Sequence, residues 1–282
     1  MEERGRFLRV ETAGRSRLAL SVDLRRDDVV SAMLFFERIL NSKQAHKEQR
    51  RAARYAVGAA FPLKSVLNLV GCDEFDEALA SPDGQGWNWT GRLINFSASG
   101  VSMQLPAATA ARRGDNCSLI LSLADYELTI PCHVAHTRKH PGSVQFGLKF
   151  DFSDDNTPEG YRQLLELVAF GASLRPEKPR PDRPDESGYV VENYHGDFES
   201  HLTVWRGAGG AVQWFEFQLA QYCVRGSAQN RTLEFAAGGP KNRAPVGAGQ
   251  VGEIHQLFKW VVPNIARAVP ADIRQSLQSF AA

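Results

Sequence analysis

The chain has 282 residues, of which 43% are hydrophobic and 23% are charged, as in soluble globular proteins, and its length fits about two domains. Lysine and arginine together number 33 and aspartate and glutamate 32, so the net charge does not indicate a nucleic acid or a membrane surface as partner. No run of about eighteen apolar residues predicts a transmembrane helix, and residues 1–16 lack the apolar stretch of a signal peptide.

The four cysteines indicate an intracellular chain. Cys72, Cys117, Cys132 and Cys223 are widely spaced and form no C-x-x-C pair. We therefore expect reduced, mostly packed thiols in a cytoplasmic protein.

Residues 1–44 predict a small strand–strand–helix segment. The strands are Phe7–Glu11 and Arg17–Val22, and the helix carries Val30, Met33 and Leu34 at helical spacing. The segment is too small for an independent domain. It is expected to pack on another part of the chain, which the sequence does not identify.

The next segment, Asn41–Arg54, is polar and mostly basic. It carries one acid, Glu48, against five cations: Lys43, Lys47, Arg50, Arg51 and Arg54. Without apolar periodicity, a solvated helix end leading into a loop is the simplest interpretation. A functional role stays open because the arginines immediately precede a strand-like stretch from Tyr55 to about Leu69.

Residues 70–88 are acidic and rich in turn formers. The carboxylates of Asp73, Glu74, Asp76 and Glu77 lack the alternating ligand spacing of a calcium loop. A surface excursion is therefore predicted.

The sequence TGRLINFSASGVSMQLP, Thr90–Pro106, predicts a hairpin. Its parts are a strand, a tight polar turn and a second strand: Arg92–Asn95, Phe96–Gly100 and Val101–Leu105. Asn and Ser side chains in the turn can bond the local backbone or a ligand, and Gly100 permits a positive φ or the close approach of a bound group. By itself the stretch fits an ordinary hairpin better than a binding site.

Further strand patterns with short turns follow, and a helix ends the block. The strands are Cys117–Leu123, Tyr126–His136 and Val144–Phe150, and the helix is Thr157–Ala172. Such spacing favours an antiparallel sandwich or small barrel. Residues 45–172 are thus predicted to form one β domain closed by a helix.

The C-terminal part is predicted to be a separate domain of unknown function. Residues 173–188 carry four prolines among charged residues, which is typical of an extended, semi-rigid linker. Residues 189–282 predict a four-stranded antiparallel meander followed by two helices: Tyr189–Asn193, Ser200–Arg206, Ala211–Val224, Thr232–Phe235, Gln250–Val262 and a helix beginning near Pro270. The fold class is therefore mainly β, with an α+β C-terminal unit.

Two motifs in the β domain resemble those of the PilZ domain. They are R-x-x-x-R at Arg50 and Arg54, leading into a strand, and N-x-S-x-x-G at Asn95, Ser97 and Gly100. The entry RRAARYAV and the closing GLKF also resemble the first and last strands of that family. The resemblance covers about residues 45–172 and neither end of the chain.

The resemblance implies a six-stranded β-barrel that binds the bacterial second messenger cyclic di-GMP. It implies that Arg50 and Arg54, with Arg51 beside them, contact guanine edges and phosphates. It also implies that Asn95 and Ser97 hydrogen-bond a guanine and that Gly100 keeps the turn open. The gap between the two motifs is long, so residues 70–88 are expected to be an insertion that lies near the site.

The residue types suit this ligand. Two phosphates and the guanine O6 and N7 acceptors match the planar, multi-donor guanidinium group, which can also stack on a purine. Each charge-assisted contact contributes roughly 1.5–3 kcal/mol. Two arginines and an Asn/Ser turn can thus give about micromolar affinity.

Other candidate sites are weaker. On a regular strand His136 and Cys132 share a face that His133 does not, so a zinc site there is awkward. His195, Asp197, Glu199 and His201 alternate as a metal or acid–base group would, but a polar sheet face or turn is the simpler explanation and is favoured. No Walker, G-x-S-x-G or H-E-x-x-H motif is present. We therefore expect no enzyme, no metal and no cofactor.

Together these patterns predict a cyclic di-GMP receptor. Binding at the barrel would reorient the flanking segments and control a protein partner through the C-terminal domain. The alternative is a PilZ-type adaptor that binds no nucleotide and serves as a protein-docking scaffold.

Overall fold

The computed structural model describes residues 8–11, 53–72, 78–79, 86–152, 158–178, 184–239 and 242–282. The chain divides into two compact units, one of Lys43–Val168 and one of Met1–Ser42 with Ala169–Ala282. None of the helices in the described ranges is long and apolar enough to cross a membrane.

Seventeen strands and three α-helices make up the described structure. The strands are β1 Leu8–Glu11, β2 Arg54–Ala56, β3 Lys64–Leu69, β4 Gly71–Cys72, β5 Ala78–Leu79, β6 Trp87–Ser97, β7 Gly100–Pro106, β8 Asn116–Leu123, β9 Tyr126–His140, β10 Ser143–Phe150, β11 Arg175–Pro176, β12 Val190–His195, β13 Ser200–Arg206, β14 Val212–Leu219, β15 Tyr222–Ser227, β16 Thr232–Ala237 and β17 Ala244–Pro245. The helices are α1 Glu159–Ala172, α2 Ala248–Val261 and α3 Ala271–Ala281.

Six antiparallel strands of the first unit close into a barrel. Their order is β6-β3-β8-β9-β10-β7, and β7 pairs again with β6. Alternate residues point inward; in β8 every second side chain is buried. The interior is filled by fully buried apolar residues such as Leu67, Met103, Leu119, Ile130 and Phe146. The predicted six-stranded barrel is confirmed.

The barrel has one extra strand, β2, which lies along the same edge of β6 as β3. β3 pairs with the first half of β6, through Trp87–Gly91, and β2 pairs with its end, through Asn95–Ser97. The prediction of one continuous stretch from Tyr55 to Leu69 is therefore wrong. Residues 58–63 leave the sheet between β2 and β3, and they include Pro62, which has no N–H for a ladder bond.

Helix α1 follows the barrel and packs on it through Tyr161, which is fully buried. The ring of Tyr161 stacks on Phe96, with centroids 5.2 Å apart, and meets Phe150 edge-on at 4.8 Å. Its hydroxyl donates a hydrogen bond to the carbonyl oxygen of Ser97. Burial raises the pKa of Tyr161 well above its ordinary value, so the hydroxyl stays a donor.

The second unit is an antiparallel sheet in the order β1-β16-β15-β14-β13-β12-β11, with β17 on β16. Strand β1 joins this sheet, since Leu8–Glu11 pairs with Thr232–Phe235. The sequence left the partner of the N-terminal segment open. Arg175 and Pro176, within the proline-rich segment, also pair with this sheet as β11. The domain boundaries drawn from composition stay predictions.

The meander has five strands, because the predicted strand Ala211–Val224 is wrong. It is divided into β14 and β15 by a turn at Ala220, whose φ of 50° is in the left-handed region. No glycine, asparagine or proline marks this turn. The Gln218 side-chain amide holds it by donating to the carbonyls of Ala220 at 2.6 Å and Gly238 at 3.1 Å.

Helices α2 and α3 cover one face of the sheet, as predicted. Phe215 of the sheet stacks on Phe258 of α2, with centroids 5.8 Å apart, and meets Phe280 of α3 at 5.2 Å. A buried ion pair joins Arg206 to Glu192 at 2.7 Å. A buried pair needs full hydrogen bonding to be tolerated, and Arg206 also donates to Gly210 and Asp272.

Candidate ligand-binding site

Strand β2 brings the two sequence motifs together. In its pairing with β6, Arg54 lies directly opposite Ser97 and Ala56 opposite Asn95. The Val57 N–H extends the pairing by donating to the Ile94 carbonyl at 2.9 Å. Residues in such pairs have Cβ atoms about 5 Å apart. Arg50 and Arg51 lie outside the described residues, so their positions stay predictions.

The motif side chains share the outer face of the barrel. Tyr55 and Phe96 point inward and are buried, so their neighbours Arg54, Asn95 and Ser97 face outward. Arg54 is exposed and Asn95 half-buried. Together they place a guanidinium and an amide side by side on one surface.

A β-bulge sets the direction of Asn95. The pairing of β6 with β7 shifts register between Leu93 and Asn95, and Ile94 is the extra residue. The shift moves the alternation by one position, so Arg92 and Asn95 both face outward although they are three residues apart. The sequence alone does not show this.

The turn after Asn95 is held by a side-chain hydrogen bond within the turn itself. The Ser97 hydroxyl donates to the Gly100 carbonyl at 2.7 Å, and the Ser97 side chain is buried. With its hydrogen engaged, the hydroxyl can only accept a bond from a ligand. The predicted contact between Ser97 and a guanine is therefore limited to accepting from an N–H group.

Gly100 has a packing role in the barrel. Its φ is not positive, and a Cβ at this position would lie 2.2 Å from the carbonyl oxygen of Leu148 in β10. Only glycine allows β7 and β10 to approach this closely. The predicted positive φ is absent, and the group that lies against Gly100 is the neighbouring strand. Its contact with a ligand stays a prediction.

The outer face continues beyond the motifs across three more strands. Adjacent positions in one transverse row are Arg92, Gln104, Gln145 and Arg138. The row above it contains Asn95, Ser102, Gly147 and His136. Sequence reasoning missed Ser102, Gln104 and Gln145, although they are polar positions that alternate with buried apolar ones.

A histidine ring lies on this face. A Cβ at Gly147 would be 2.0 Å from the His136 ring atom Cε1, so the imidazole lies directly over the glycine backbone. Gly147 is also the register partner of Ser102 in the neighbouring strand. The face therefore presents an aromatic ring one strand away from Ser102 and two from Asn95.

The histidine arrangement differs from the sequence prediction. Cys132 is buried inside the barrel, whereas His136 is exposed on the outside, so they do not share a face. A register shift opposite Gly147 and Leu148 causes this, because Ala135 is the extra residue. His133 instead pairs with Asp151 at 2.6 Å.

The second histidine group lies on two paired strands of the second unit. His195 and His201 are register partners, and Arg175 Nε donates to His195 Nε2 at 3.2 Å. In the part of the chain that is described, no three His, Cys, Asp or Glu side chains form a group that could hold a metal ion.

The outer face is suited to a phosphorylated aromatic ligand. Arg54, Arg92, Arg138 and Lys149 are exposed cations on it. Guanidinium groups bind phosphates and purine edges, amides pair with base edges, and rings stack on bases. The fold and this face together define a small closed β-barrel with a basic, amide-rich outer surface.

Comparison with known proteins identifies the barrel. The family model of the PilZ domain matches residues 75–170, which is about a third of the chain. The match includes the N-x-S-x-x-G motif and begins after Arg54, so it leaves out the arginine motif. The C-terminal region has no match to a family model, and no curated protein matches the chain.

Two solved structures are similar to the chain. One is the PilZ domain with c-di-GMP of YcgR from Escherichia coli, which is 11% identical, covers 42% of this chain and 89% of that chain, and has a TM-score of 0.31. The other is the Borreliella burgdorferi PlzA protein in complex with c-di-GMP, which is 9% identical, covers 82% and 99% of the two chains, and has a TM-score of 0.29. The similarity to the PilZ domain therefore rests on the family model.

Proposed function

We propose that this protein is a receptor for cyclic di-GMP and that the ligand binds the outer face of the barrel beside the turn at Ser97. The observation that carries the proposal is the pairing of β2 with β6, which places Arg54 opposite Ser97 and on the same face as Asn95. Two motifs that are about forty residues apart in sequence thus form one surface.

The chemistry of the surface supports this ligand. Cyclic di-GMP carries two phosphates and two guanines, and a guanidinium can bind either group with parallel hydrogen bonds. Asn95 offers both a donor and an acceptor for a guanine edge. Arg50 and Arg51, which lie just before β2 in sequence, are proposed to complete the cationic side of the site.

One observation favours the adaptor alternative. The Ser97 hydroxyl and Gly100 are each explained by the structure of the turn, through the bond between them and the contact with Leu148. The N-x-S-x-x-G motif can therefore hold this hairpin without any ligand. In that case the barrel would be a docking scaffold whose affinity for its partner does not depend on the nucleotide.

Calorimetric titration of the full chain with cyclic di-GMP distinguishes the two functions. We expect about micromolar binding, and we expect Arg54→Ala or Arg50→Ala to weaken it about tenfold or more, which corresponds to roughly 1.4 kcal/mol. Arg267→Ala removes an exposed arginine of the second unit and is the matched control. Absence of heat at high micromolar ligand, with folded protein, would refute the receptor.

The effector role requires a second measurement. We propose that ligand binding changes how the second unit engages a protein partner. The binding of partners captured with the full chain is expected to change when cyclic di-GMP is added, and this change should be lost in Arg54→Ala. A captured partner whose binding is unchanged by cyclic di-GMP would favour the docking-scaffold function.

A further inference from the structure

Arg92 is held in a defined position on the outer face of the barrel. Its Nη2 donates to Oε1 of Gln104, its register partner, at 3.0 Å. The amide nitrogen of Gln104 donates in turn to the Ser143 hydroxyl at 2.9 Å. Because this second bond engages the nitrogen, the amide oxygen of Gln104 points to Arg92. Three neighbouring strands thus orient one exposed guanidinium.

The contacts of Arg92 leave it charged and available. Its bond to Gln104 is to a neutral amide, and within the described residues no carboxylate forms an ion pair with it. A guanidinium has five N–H donors, and the bond to Gln104 uses one. An exposed cation that is oriented but not neutralised is suited to an anionic ligand.

The position of Arg92 complements that of Arg54. Arg54 of β2 lies opposite Ser97, which is the next outward-facing residue after Asn95 on β6. Arg92 is the outward-facing residue before Asn95 on β6, because the bulge at Ile94 keeps Arg92 and Asn95 on the same face. Successive outward-facing residues are about 7 Å apart along the strand. The two guanidinium groups therefore flank Asn95 on opposite sides, at a spacing that long side chains can bridge.

We propose that Arg92 is a further ligand contact, the second guanidinium of the site, and that Gln104 is the residue that positions it. The inference rests on the proposed function and extends it. A ligand with two phosphates and two guanines has two anionic and two purine groups to bind. Arg54 serves one side of the Asn95 turn and Arg92 the other.

A polar network next to Arg92 supports a preformed surface. The Gln145 amide nitrogen donates to the Ser102 hydroxyl at 2.7 Å, and Ser102 is the register partner of Asn95. Gln104 and Gln145 are themselves register partners. The amides beside Asn95 and Arg92 are therefore fixed before a ligand arrives, which lowers the entropic cost of binding.

The test is a set of calorimetric titrations with cyclic di-GMP on full-length variants. Arg92→Ala is expected to weaken binding about tenfold, and Arg92→Lys, which keeps the charge but loses the planar fork, is expected to weaken it less. Gln104→Ala is expected to weaken binding about threefold with little change in melting temperature. Arg267→Ala is again the control.

Salt dependence distinguishes a ligand contact from a structural role. If Arg92 binds a phosphate, raising the salt concentration weakens binding less in Arg92→Ala than in the wild type, because one ionic contact is already lost. Melting curves of both variants show that the barrel is folded.

The outcomes separate this inference from the proposed function. If the wild type binds and Arg54→Ala loses affinity while Arg92→Ala binds like the wild type, only the role of Arg92 is refuted. If the wild type does not bind, the receptor function fails and the role of Arg92 fails with it. A loss of affinity in both Arg54→Ala and Arg92→Ala, together with a weaker salt dependence of binding in Arg92→Ala, supports the inference.

Discussion

Tyr161→Phe tests whether helix α1 holds the turn of the binding site. The substitution removes one oxygen atom and leaves the ring, so the contacts with Phe96 and Phe150 persist. What is lost is the hydrogen bond to the Ser97 carbonyl at a position with no solvent access. Loss of a buried partner of this kind costs about 1–3 kcal/mol.

Urea denaturation followed by circular dichroism measures this loss. With an m-value of about 1–3 kcal/mol per molar urea, the midpoint of the barrel transition is expected to fall by roughly 1 M at unchanged m. The matched control is Tyr189→Phe, a half-buried tyrosine of the second unit, for which a change within about 0.5 kcal/mol is expected. An unchanged midpoint in Tyr161→Phe would refute the role given to this hydrogen bond.

The pH dependence adds an independent check. Because the pKa of Tyr161 is raised above its ordinary 10.0 in the folded state, its stabilising contribution is fully present below pH 10. It is lost as the pH rises from there towards the folded pKa. The wild type should therefore lose stability above about pH 10 more steeply than Tyr161→Phe. Parallel curves of stability against pH for the wild type and Tyr161→Phe would show that the loss does not come from the Tyr161 hydroxyl.

Two further predictions concern packing and electrostatics. Gly100→Ala is expected to destabilise the barrel by about 1–3 kcal/mol, because the new Cβ meets the Leu148 carbonyl, whereas Gly209→Ala, with open space around it, should melt like the wild type. Equal melting temperatures would contradict the close approach. In the second unit, a hydrogen bond from Arg206 lowers the pKa of Asp272 below its ordinary 3.8, so its stabilisation is present above that pH and is lost as the pH falls below it. Asp272→Asn should flatten this acid dependence of the urea midpoint, and an unchanged slope would show that the pair contributes nothing.

The sequence by itself determined the type of fold and the position of most elements. Alternating apolar residues predict strands because a strand in these sheets has one buried face, and β13 of the second unit begins and ends where this pattern indicates. The motifs at Arg54 and Asn95 likewise pointed to one site before their pairing was known. Local pattern failed at Ala220, where no turn residue marks the division of a strand and side-chain bonds from Gln218 hold the turn.

Only the tertiary structure decided which side chains share a face. Register between distant strands depends on bulges, and the extra residues Ile94 and Ala135 each move the following side chains to the other face. This places Arg92 beside Asn95 and separates His136 from Cys132. Sequence spacing cannot supply such information, because a bulge is stabilised by contacts with the partner strand. The motif residues could be found from the sequence alone. Which residues surround them is determined by the pairing of the barrel strands.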